Sequence, residues 1–61
     1  MMSKLIVKEY KNKENNWWMT EIELQVNERI EERMLFVIDM NTGTRATGID
    51  DVWEYDWEEI I

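Results

Sequence analysis

The sequence predicts an α+β fold: a small antiparallel β-meander of three or four strands with a short C-terminal helix packed on it. Three observations carry that prediction. Residues 17–27 alternate between apolar and polar with a period of two. Residues 33–40 form a continuous apolar run that ends at Asn41-Thr42-Gly43. Apolar residues from Ile49 to Ile60 recur at spacings of three and four. The first two patterns are those of strands and the third is that of a helix. The alternative is a small all-β barrel in which 51–57 is the last strand.

The elements follow in chain order. Residues 4–11, Lys-Leu-Ile-Val-Lys-Glu-Tyr-Lys, have a β-branched centre and rough alternation, which reads as a strand. The polar, Asn-rich stretch from Lys11 to Asn16 reads as a hairpin loop. In 17–27, Trp18, Thr20, Ile22, Leu24 and Val26 share one face, and Trp17, Met19, Glu21, Glu23 and Gln25 share the other. The first set is expected to be buried and the second mostly wet. Asn27 to Glu32 is a polar link, with a hairpin loop as one reading of it. The apolar run 33–40 suits a central strand covered on both faces.

Asn41-Thr42-Gly43 suits a type I turn with Gly43 in the left-handed region, closing a hairpin onto a strand at 44–49. Opposing Met40 with Thr44 would set Asp39 across from Arg45, a pair of opposite charges. At the C-terminus, a helix would align Ile49, Val52, Trp53, Trp57 and Ile60. Asp51 with Glu54 fits a capping box, whereas Glu58 and Glu59 oppose the helix dipole. Read as a strand, the same segment alternates Trp53, Tyr55 and Trp57 against Val52, Glu54 and Asp56.

Sixty-one residues make a single domain, 1–61. A chain of that size buries only about 60% of its unfolded surface. It has no Cys or His to supply a disulfide or a zinc site. Its core must come from four Trp, two Tyr, one Phe and the aliphatics, or from a second copy of the chain. Met1 to Lys13 lacks the apolar centre of a signal peptide, and no apolar run approaches the roughly 18 residues of a membrane span. The chain reads as soluble and cytoplasmic.

Seven cations against fourteen carboxylates give a formal charge of −7. That balance disfavours direct binding to DNA, RNA or anionic lipid. Lys4, Lys8, Lys11 and Lys13 lie near the N-terminus, whereas 50–61 holds six carboxylates, three large aromatics and no cation.

Catalysis needs a nucleophile, a tuned acid or base, or a metal. Cys and His are absent, and the one Ser, Ser3, is near the terminus. Paired carboxylates run glycosidase chemistry only within a deep cleft, which so short a chain does not easily build. The expectation is therefore a protein that is not an enzyme and takes no cofactor. Asp39-Met40-Asn41-Thr42-Gly43 begins like a calcium loop, but Gly43 stands at the fifth place, which wants an acid or amide, and Thr44 at the sixth, which wants Gly, so a hairpin turn is the better reading. Gly43 and Gly48 match no phosphate-binding spacing.

Carboxylates interleaved with Trp and Tyr combine electrostatic steering with aromatic anchors. The expected function is a small acidic protein-binding module, an inhibitor that occupies a basic, nucleic-acid-binding surface of a partner protein as a DNA mimic. Glu21, Glu23, Asp51, Glu54, Asp56 and Glu58 would supply charge, with Trp17 and Tyr55 as anchors. For any single acid the bland alternative is a solvated surface, and for Trp17 it is packing beneath the C-terminal helix. In size, acidity and missing catalytic groups the chain resembles small phage or mobile-element proteins that inhibit host nucleic-acid enzymes; the likeness carries over no residue. Two further readings stand beside it. One is a homo-oligomeric structural or accessory subunit, a homodimer for example, held by the double Trp and Ile60-Ile61. The other is an antitoxin-like regulator paired with a basic toxin.

Overall fold

The alternating and apolar stretches all become strands of one antiparallel sheet. The computed structural model describes residues 2–48 and 51–60. Among them, β1 (Ser3–Asn12), β2 (Trp17–Val26), β3 (Arg29–Asp39), β4 (Arg45–Thr47) and β5 (Glu58–Glu59) form a sheet in the order β4-β3-β2-β1-β5. Both outer strands are short and the sheet does not close on itself, so the fold is all-β, as in the alternative reading, but an open sheet in place of a barrel.

The turns explain the strand lengths. Between β2 and β3 lie only Asn27 and Glu28, with φ of 52° and 68°. Two consecutive left-handed residues make the tight hairpin turn whose twist matches that of its strands. The polar link expected at Asn27 to Glu32 is therefore mostly strand. A bulge between Leu24 and Gln25 absorbs Glu31, since Leu24 opposes Glu32 and Gln25 opposes Ile30.

Between β3 and β4 the expected Gly43 conformation is present, with φ of 78°. The register differs from expectation by one residue. Asp39 N–H donates to the Thr44 carbonyl at 2.8 Å, and Ile38, not Asp39, opposes Arg45. The Asp39 carboxylate instead accepts from Asn41 N–H at 2.8 Å, closing its own loop. Arg45 thus falls on the opposite face of the sheet from Asp39.

The C-terminal helix is not formed. Val52–Glu54 make a single 3₁₀ turn, Asp51 makes no side-chain cap, and Tyr55 is already extended. The Val52 carbonyl accepts from Tyr55 N–H at 3.3 Å and from the Trp57 indole N–H at 2.7 Å. An α-helix would have given that carbonyl to Asp56 N–H. The chain then joins the free edge of β1: Glu58 and Glu59 oppose Lys11 and Tyr10, and Ile60 N–H donates to the Glu9 carbonyl at 2.8 Å. A short helix with acids at its C-terminal end is costly to nucleate and opposed by its dipole. An open strand edge offers backbone partners without that penalty. The alternative placement of the last strand at 51–57 is also corrected, to Glu58–Glu59. Ile49, in the expected fourth strand and helix face, lies outside the described residues, as do Asp50 and Ile61.

The faces of β2 are used the other way round from expectation. Met19 is fully buried, and Glu21 and Glu23 are only 4% and 6% exposed, whereas Ile22, Leu24 and Val26 are half-buried. The segment 51–57 lies on the face of Tyr10, Trp17 and Met19, where Val52 is buried. We call this the covered face. The open face carries Leu5 and Val7 of β1, Trp18, Ile22 and Leu24 of β2, and Met34, Phe36 and Ile38 of β3, in register. The run 33–40 is accordingly covered on one face, not two.

Candidate functional site

Aromatic residues of β1 and β2 seat the C-terminal segment. The rings of Tyr10 and Trp53 meet edge to face with centroids 5.5 Å apart. Those of Trp17 and Tyr55 do the same at 4.9 Å. Such pairs add about 0.5–1.5 kcal/mol each beyond the area they bury. Asn12, itself buried, ties the same segment to the sheet. Its side-chain amide donates to the Asp56 carbonyl at 2.9 Å, while its carbonyl oxygen accepts from Asn15 N–H at 2.8 Å. One asparagine therefore shapes the β1–β2 loop and pins residue 56.

The result is a strip in which exposed Asp51, Glu54 and Asp56 alternate with Trp53 and Tyr55, both of which keep nearly half their surface in water. These three carboxylates make no ion pair among the described residues. Glu58 differs, because Lys13 Nζ lies 3.2 Å from its carboxylate. A shallow crevice of about 440 Å³ runs between Trp17, Val37, Val52 and Tyr55.

Glu21 and Glu23 do not join the strip. They lie on the covered face, where Arg33 Nε sits 3.3 Å from Glu21 Oε2 and Arg33 Nη2 3.9 Å from Glu23 Oε1. The Tyr10 hydroxyl donates to Glu21 Oε1 at 3.4 Å. Burial, reinforced by the negative charges of Glu21 and Glu59, raises the Tyr10 pKa above its ordinary value of 10. These two acids are internal charges held by the protein's own arginine, so a partner would have no access to them.

Of the residues that the sequence nominates, Asp51, Glu54, Tyr55 and Asp56 come together, Trp17 supports them from beneath, and Glu58 sits at the strand edge beside Lys13. Trp53 is part of the strip, whereas the helix expectation aligns it with Ile49, Val52, Trp57 and Ile60. Its signal lay in the strand-like alternation of 53, 55 and 57. No group of His, Cys, Asp and Glu suited to hold a metal occurs among the described residues. No helix among them is long and apolar enough to cross a membrane. In comparison with known proteins, the chain matches no family model, no curated protein and no solved structure.

Proposed function

We propose that this protein is a small acidic protein-binding module that carries out no reaction of its own and inhibits a partner by occupying a basic, nucleic-acid-binding surface. The observation that supports this reading is the strip of Asp51, Glu54 and Asp56 set around Trp53 and Tyr55, with no ion pair to those acids among the described residues. Free carboxylates attract a basic groove over the range of a Debye length, about 8–10 Å at physiological salt. Aromatic rings braced on Tyr10 and Trp17 supply contact area with little ordering cost. Carboxylates spaced along a segment held in this way can take the places of phosphates in a groove that otherwise holds nucleic acid.

The test is competition. The tagged protein is used to recover its partner from the source cell. The isolated partner is then titrated with a fluorescent oligonucleotide in the presence and absence of the protein. The oligonucleotide should be displaced, and affinity for the partner should fall at least about tenfold between low and high salt, as for other charge-steered complexes. Substituting Asp51→Asn, Glu54→Gln and Asp56→Asn together should remove most of that salt dependence. Binding that ignores salt, or that leaves the oligonucleotide in place, refutes the reading.

A further inference from the structure

We infer that the open face of the sheet is covered by a second copy of the same chain, giving a symmetric two-sheet sandwich with both acidic strips turned outward.

The inference starts from what the monomer leaves unburied. Among the described residues, Met19 and Val52 are the buried apolar residues of the core, whereas Leu5 is 66% exposed and Val7 and Met34 are each 50% exposed. Register places these side chains in rows. Val7, Ile22 and Met34 lie across the middle of the open face, Leu5 and Leu24 lie in the next row with Glu32 at its β3 end, Phe36 lies in the row of Glu9, Thr20 and Thr47, and Trp18 and Ile38 lie near the other end. A contiguous apolar surface of this kind marks an interaction site.

Charge identifies the occupant. The chain carries −7 overall, yet on the open face Glu9, Glu32 and Glu58 are matched by Lys11, Arg29 and Arg45. The surplus negative charge therefore lies elsewhere, and two open faces can meet without strong repulsion. The end row reads Glu58, Lys11, Trp18, Ile38, Arg45 from one edge to the other. A two-fold axis along β2 exchanges the edges. It sets Glu58 over Arg45 of the second copy at each rim, and Ile22 and Leu24 over their own counterparts.

The area is sufficient. Three strands of about ten residues, at roughly 3.3 Å per residue and 4.8 Å between strands, span on the order of 500 Å² per copy before side-chain relief is counted. Two copies reach the roughly 1,000 Å² at which an interface becomes specific. Aligned sheets stacked about 10 Å apart are a standard packing arrangement.

The test is the mass of the whole chain in solution by sedimentation equilibrium at tens of micromolar. The expected result is twice the 7.5 kDa chain mass. Leu5→Lys with Met34→Lys should raise the dimer dissociation constant by at least about 30-fold, the loss expected of a central contact. Both positions are already well exposed in one copy, so the far-ultraviolet circular dichroism of the released chain should persist. A second variant is independent of folding stability. The chain has no cysteine, so Thr20→Cys, at the middle of the open face, should be cross-linked between copies by a short bismaleimide, while Glu54→Cys should not. A single-chain mass across the range overturns the proposal and leaves the open face to a different protein. A doubled mass that survives both lysines, or a dimer that Thr20→Cys cannot cross-link, overturns it by placing the contact elsewhere. None of these outcomes depends on the acidic strip, so they stand or fall apart from the competition test above.

Discussion

Arg33 holds two buried carboxylates at once, and its removal should be felt more than its exposed position suggests. Arg33→Met keeps the apolar stem and deletes the charge. At 3.3 and 3.9 Å, the attractions to Glu21 and Glu23 are each about 4–5 kcal/mol at an effective dielectric of 20, before desolvation is subtracted. The Arg33 side chain is half exposed, so solvent screens it and its own desolvation is partial. The carboxylates stay 4% and 6% exposed and would be left without an ion-pair partner within 4 Å among the described residues, Lys8 on the neighbouring strand being the next cation in register. Losing one partner of a fully buried pair costs about 3–5 kcal/mol, and the screening brings the expected loss to about 2 kcal/mol. The assay is urea denaturation at neutral pH and fixed protein concentration, followed by tryptophan fluorescence. Adding Glu21→Gln and Glu23→Gln to the Arg33→Met background should recover more than half of the loss, because the stranded charges are then gone. A variant within about 0.5 kcal/mol of the parent would refute the reasoning, since surface substitutions of no consequence fall in that range.

Two other perturbations test other parts of the fold. Glu28 holds a φ of 68° without being glycine, so Glu28→Gly should stabilise the hairpin by about 0.5–1 kcal/mol, read as a higher thermal midpoint; a lower midpoint would mean that the turn is not strained there. The Tyr10 pKa is raised in the folded chain, chiefly by burial and next by Glu21. Its contribution is therefore complete below pH 10 and is lost as pH rises through the folded value, because the unfolded chain gives up that proton first. Stability should fall in this alkaline range, and Tyr10→Phe should flatten the fall; an unchanged slope in the variant would assign it to other groups.

Much of the strand layout was legible in the letters. The alternation of 17–27 marks β2 nearly to its ends, and the β-branched centre of 4–11 marks β1, because a two-residue period is a local property of extended backbone. Gly43 announced its left-handed turn for an equally local reason. Asn27-Glu28 was harder to read as a tight turn, since glutamate rarely adopts positive φ and the polar residues beyond it look like loop. The C-terminal segment misled most. Its spacing of three and four is real, but Trp57 uses its indole to take the Val52 carbonyl, and the edge of β1 recruits Glu58 and Glu59. Of the site, the run of acids and aromatics at 51–56 was legible. The withdrawal of Glu21 and Glu23 was not, because it required Arg33 to arrive from the neighbouring strand.

The sequence by itself determined which side chains share a face, where most of the hairpins turn, and how much net charge the molecule carries. Each follows from neighbours along the chain or from a sum over residues. Only the tertiary structure decided which face of the sheet is covered, what becomes of the last residues, and how the charge divides between a balanced apolar face and an acidic strip. Those outcomes turn on where the chain end docks. Docking is governed by the Tyr10 and Trp17 rings and the free edge of β1, groups that lie far from residues 51–60 in sequence and meet them only once the sheet exists.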